Sequence, residues 1–71
     1  MSNHWHFQLM RQKNAATGEY YYAIHEYYPL EDGDGWTTNP VRVDGDSVDE
    51  VKNVLMMMLE DIERHGVKDY E

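Results

Sequence analysis

Apolar and polar positions alternate at the start of this chain. Trp5, Phe7 and Leu9 recur at every second residue among His4, His6 and Gln8, which predicts a β-strand over about 4–11. Lys13 to Gly18 reads as a hairpin loop, with Gly18 free to take a positive φ. A second strand follows over about 19–28, and it holds five of the six tyrosines. It stops at Pro29, which has no N–H for a ladder. Glu31-Asp32-Gly33-Asp34-Gly35 is a polar turn, and a third strand is expected over about 36–43. Pro40 within that run calls for an edge position or a bulge.

The period then changes to that of a helix, expected over about 48–65. Val48, Val51, Val54, Leu55, Met58, Leu59 and Ile62 recur at spacings of three and four as one apolar stripe. Ser47-Val48-Asp49-Glu50 is a capping box, in which the serine hydroxyl accepts from the Glu50 amide. Asp44, Asp46, Asp49 and Glu50 lie near the positive end of the helix dipole. Gly66, after Arg64 and His65, suits the C′ position.

These elements predict a two-layer α+β domain spanning 1–71: a three-stranded antiparallel meander with one C-terminal helix across a single face. A four-residue loop, Asn14 to Thr17, would set Trp5 across from Glu26, Phe7 from Ile24 and Leu9 from Tyr22. That register gathers Trp5, Phe7, Leu9, Tyr22 and Ile24 under the helix. With Trp36, Val48, Val51, Leu55, Met58, Leu59 and Ile62 they form the expected core. The opposite face, carrying His4, His6, Gln8 and Met10 beside Tyr21, Ala23, His25 and Tyr27, is then left uncovered.

Size sharpens this picture. A chain of 71 residues buries only about 60% of the surface it exposes when unfolded, so outside help with stability is valuable. It has no cysteine to form a disulfide or a thiolate zinc site. Association with a partner or a second copy is the remaining route. Six basic residues against fourteen acidic ones give a formal charge of −8. Such a surface repels nucleic acid and anionic membranes, and it attracts basic proteins. The apolar run Val54 to Leu59 is far too short to span a bilayer, and no basic segment precedes an apolar one at the N-terminus, so a cytoplasmic location is expected.

Candidate chemistry is sparse. The expected register sets His6 opposite His25 with His4 nearby, a trio able to bind zinc, nickel or copper, yet no carboxylate or cysteine joins them at diagnostic spacing. Solvated or stacking histidines are the plainer explanation, and neither metal nor other cofactor is expected. The two Asp-Gly-Asp segments do not continue into a calcium loop. There is no nucleophile elbow, phosphate loop or dinucleotide glycine pattern, and His25 and Glu26 point to opposite faces of a strand. No catalytic residues are assigned, and the chain reads as a non-enzyme. Met56 and Met57 lie outside the helical stripe, near Glu60 and Arg64, where flexible thioethers suit an adaptable contact. Tyr21, His25, Tyr27, Met10, Met56, Met57 and Glu60 are therefore the candidate partner-binding residues.

Trp5-x-Phe7, Tyr22-Ala23-Ile24-His25-Glu26, Gly35-Trp36-Thr37-x-Asn39-Pro40-Val41, Gly45-Asp46-Ser47-x-Asp49-Glu50-Val51 and Leu55-x-x-Met58-Leu59 together resemble a group of short uncharacterised proteins of bacteria and their phages. That resemblance covers most of the chain and implies a compact cytoplasmic domain; histidine is not typical there at the positions of His4 and His6. Gly45, Asp46, Ser47, Asp49 and Glu50, before an amphipathic helix, are more loosely similar to HicB-type antitoxins. That similarity implies a small basic toxin as partner, although the DNA-binding extension of many such antitoxins has no counterpart here. The expected function is an acidic protein-interaction module that inhibits a basic partner. A self-associating homodimeric domain and a histidine metal-binding domain are the alternatives.

Overall fold

The computed structural model describes residues 4–31 and 33–70. The molecule is an α+β fold with one mixed sheet and one helix. Its elements run β1 (His6–Lys13), β2 (Tyr20–Tyr28), β3 (Gly35–Trp36), α1 (Val48–His65) and β4 (Val67–Asp69), with the sheet ordered β3-β2-β1-β4. β1 pairs antiparallel with β2 and β2 with β3, while β4 lies parallel to β1.

The β1–β2 loop is longer than expected, and its own hydrogen bonds explain why. The Asn14 side chain accepts from the amides of Ala16 and Thr17, while Asn14 N–H donates to the Glu19 carbonyl at 2.8 Å. Gly18 closes the turn at φ +77°. Lys13 therefore faces Tyr20, and the whole register lies two residues along from the expected one, with Phe7 opposite Glu26 and Leu9 opposite Ile24. A shift of two leaves every side chain on its expected face, because strand periodicity is two.

Two strands differ from expectation. The third is only Gly35–Trp36, not 36–43. Pro40 has no N–H, so the segment beyond Trp36 clings to the β2 edge through Thr37 N–H to the Glu26 carbonyl and Val41 N–H to the Ile24 carbonyl, at 3.0 and 2.8 Å. The expected three-stranded antiparallel meander also gains β4 from the tail, which shows no apolar alternation. Backbone pairing with β1 makes this strand, and all three of its residues are exposed.

α1 begins where its capping chemistry places it. Ser47 is extended and its hydroxyl accepts from Glu50 N–H at 3.2 Å, with Asp49 and Glu50 in the first turn. Arg64 and His65 occupy the last turn, and Gly66 at φ +69° donates its N–H to the Ile62 carbonyl. The helix packs along β1, and Asp61 accepts a hydrogen bond from Phe7 N–H at 3.0 Å. Met58 is its only buried residue.

The expected core is largely open. Phe7 and Met58 are buried, but Trp5, Tyr22, Val48, Leu55 and Leu59 are 44, 58, 71, 50 and 57% exposed. Leu9, Ile24, Trp36, Val51 and Ile62 are only half-buried. Among the described residues the fully buried side chains are Met10, His25 and Gln8, all on the face expected to be bare. The radius of gyration is 13.3 Å, against about 11 Å for a compact chain of this length.

Candidate functional site

The histidine- and tyrosine-bearing sheet face is closed from within. β3 and the tail just beyond β4 supply its cover. Trp36 stacks on Tyr27 with ring centroids 5.8 Å apart, and Tyr70 meets both Trp36 and His25 edge-on or tilted at 5.7 and 5.5 Å. The Lys68 ammonium sits 5.5 Å from the Tyr27 ring centroid. Tyr70 also donates its hydroxyl to the Thr38 carbonyl, which ties the tail to the loop after β3.

Beneath this cover the polar groups satisfy one another. The Gln8 amide donates to the carbonyls of Leu9 and Gly66, and its oxygen accepts from His6 Nε2 at 3.0 Å. His25 Nδ1 lies 2.8 Å from the Thr37 carbonyl. A carbonyl oxygen only accepts, so Nδ1 carries the proton and Nε2 accepts from the Gln12 amide. Tyr21, half exposed at the rim, donates its hydroxyl to Gln12 Oε1. Tyr27 donates to Asp34 at 2.5 Å, and burial, together with that carboxylate, pushes its pKa up to about 12.

The candidate binding residues on this face are therefore reassigned. Met10, His25 and Tyr27 are buried and cannot present themselves to a partner; only Tyr21 reaches solvent. The missed signal was the pair Trp36 and Tyr70, two aromatics in segments without alternation, which serve as a lid.

The three histidines do not converge either. His25 lies across from Gln8 rather than His6, and both its ring nitrogens are committed. His6 instead stacks on His65 at 3.6 Å between ring centroids. Burial, followed by the proximity of His6, lowers the His65 pKa. Among the described residues no group of three His, Asp or Glu side chains is placed to hold a metal ion. Glu26 finds its partner on its own strand, accepting from the Tyr28 hydroxyl, and this hydrogen bond is the first cause of a raised Tyr28 pKa.

Exposed apolar side chains cluster on α1, while Trp5, Tyr20, Tyr21, Tyr22, Leu30, Val43 and Val67 are exposed elsewhere. Val51, Val54, Met58 and Ile62 form the inner edge of the stripe, half-buried or buried. Val48, Leu55 and Leu59, with Met56 beside them, form an outer edge that none of the described residues covers. Met57 and Glu60 lie on another side of the helix. There they line a shallow cleft of about 470 Å³ with His4, Trp5, Asp61 and His65. Met56, Met57 and Glu60 are thus exposed but divided between two surfaces.

No protein-family model matches this chain, and comparison with curated proteins and with solved structures returns no match.

The outer flank of α1 combines two kinds of side chain. It joins exposed aliphatic side chains to the Glu63 carboxylate, with Asp49, Glu50 and Glu60 elsewhere around the helix, and none of these four forms an ion pair among the described residues. Among the described residues no helix is long and apolar enough to cross a membrane.

Proposed function

We propose that this chain is a small acidic protein-interaction module that acts through α1 on a larger basic partner, as an inhibitor or antitoxin-like subunit. The observation that carries the reading is the exposure of Val48, Leu55, Met56 and Leu59 on a helix whose opposite edge packs on β1. Contiguous exposed apolar area of this kind marks a contact site. An amphipathic helix presenting residues at spacings of four and seven suits an apolar groove. Carboxylates around the stripe favour a groove rimmed by lysine and arginine, and they steer such a partner from a distance.

The test is affinity capture from a bacterial lysate with the wild-type chain and with Leu55→Glu/Leu59→Glu. Recovery of a basic protein by the wild type alone, in an interaction that weakens between 50 and 300 mM salt as charge steering requires, supports the proposal (about 50–300 mM spans Debye lengths of roughly 14–6 Å). Equal recovery by both chains would remove α1 from the contact.

A further inference from the structure

We infer that, when no basic partner is bound, the outer flank of α1 is closed by α1 of a second copy of this chain, the two helices running antiparallel. The inference rests on the reading of α1 as a contact surface, and it names the resting occupant of that surface. Three observations lead to it.

The first is area. The chain exposes 5584 Å². A folded monomer of 8.4 kDa is expected to expose about 4,600 Å². The excess, on the order of 1,000 Å² over the whole chain, includes the exposed Val48, Leu55, Met56 and Leu59 and is comparable with the roughly 800 Å² that each partner loses in a standard protein interface.

The second is pattern. Val48, Lys52, Leu55 and Leu59 follow one another at spacings of four, three and four, the seam along which two helices interdigitate. Val48, Leu55 and Leu59 are each half or more exposed, and the Lys52 stem can lie along the seam with its ammonium outside. The inner edge of the same helix is already engaged with β1 through Met58 and Asp61, so the outer seam is free to be shared.

The third is charge, which decides the orientation. A parallel pair would set Asp49 and Glu50 beside the same residues of the other copy, with both positive dipole ends together. An antiparallel pair separates these carboxylates, joins opposite dipole ends and turns Lys52 of each chain toward Glu63 of the other. The two copies still carry a formal −8 each, so their association works against long-range repulsion.

That repulsion supplies a discriminating measurement. Self-association should strengthen with added salt, whereas binding to a basic protein should weaken. Sedimentation equilibrium of the full chain over about 5–200 μM at low and moderate salt, a range that brackets weak dimers, should show a monomer–dimer equilibrium that tightens with salt. Leu55→Glu/Leu59→Glu should raise the dimer Kd by roughly 100-fold or more, as expected for charges placed in the centre of an interface, with circular dichroism confirming the fold. The chain has no cysteine, so single-cysteine variants report orientation cleanly. Leu55→Cys near the middle of the helix should oxidise to a disulfide-linked dimer, while Val48→Cys at its end should not.

Cross-linking through Val48→Cys would overturn the antiparallel arrangement. A chain that stays monomeric at about 200 μM in both salts would overturn the pairing itself, since a Kd well above that is no resting state. That second outcome leaves the module reading standing if the monomer still captures a basic protein through Leu55 and Leu59. A dimer indifferent to Leu55→Glu/Leu59→Glu would overturn the inference, and equal capture by both chains would remove the module reading with it.

Discussion

Tyr27 shows how one side chain couples the closed face of the sheet to pH. Its ring lies between Trp36 and His6, and its hydroxyl donates to Asp34. With a pKa of about 12 against an unperturbed 10.0, the folded state holds this proton more tightly than the unfolded chain. Its contribution is therefore complete below about pH 10 and is lost as pH rises through about 12. Urea denaturation should show stability falling above pH 10, and Tyr27→Phe should flatten that fall while costing about 1–2 kcal/mol at neutral pH. His65 acts in the opposite direction. Its lowered pKa favours the neutral ring in the fold, against the opposing pull of Asp61, so stability should decline as pH falls below about 6.5. His65→Gln should weaken that dependence in the same titration. His25→Leu leaves the Thr37 carbonyl and the Gln12 amide unpaired in a buried site, and a loss of about 2–3 kcal/mol is expected.

At the scale of elements, α1 is the part most directly written in the residues. The Ser47 cap, the acidic first turn, the apolar period and Gly66 all describe the same helix, because capping and periodicity are local properties. Ser47→Ala should cost about 1 kcal/mol in thermal or chemical denaturation, the usual worth of an N-cap side chain. Gly66 lies at φ +69°, ψ −151°, a region open only to glycine, and a methyl group added at its Cα would meet nothing within 4 Å. Gly66→Ala should therefore cost about 1–3 kcal/mol through backbone strain alone, and it should loosen β4 in hydrogen exchange. Strand faces were legible for the same reason of period. The pairing was not, because it depended on how Asn14 and Gly18 fold the loop. β4 left no signal at all: three exposed residues joined by backbone bonds carry no pattern of side chains.

For the whole molecule, the central question is which layer is closed. The expected arrangement buried Trp5, Tyr22, Leu55 and Leu59 between sheet and helix and left the His25 face open. The fold does the reverse, burying Gln8, Met10, His25 and Tyr27 and exposing the four others. An open apolar layer in a chain of 71 residues is costly for an isolated domain and economical for one that associates. The antiparallel self-pairing proposed for α1, relieved by a basic partner, would account for both the exposed stripe and the surplus of carboxylates. It would also give the opposite salt dependences by which the two proposed states are told apart.

The residue order alone determined the helix, its caps, the two long strands and the division of each strand into two faces. These follow from short-range rules: periods of 3.6 and 2, a side chain reaching a nearby amide, a proline without a donor. Which face would be covered could not follow from such rules, since period sorts side chains into two sets without saying what lies above either. That was decided when Trp36 and the C-terminal Tyr70 met over Tyr27 and His25, bringing together residues up to 45 positions apart in the chain (Tyr70 with His25). The lid is a long-range contact: it closes the sheet over His25 and Tyr27, while Tyr20, Tyr21, Tyr22 and the outer flank of the helix stay exposed.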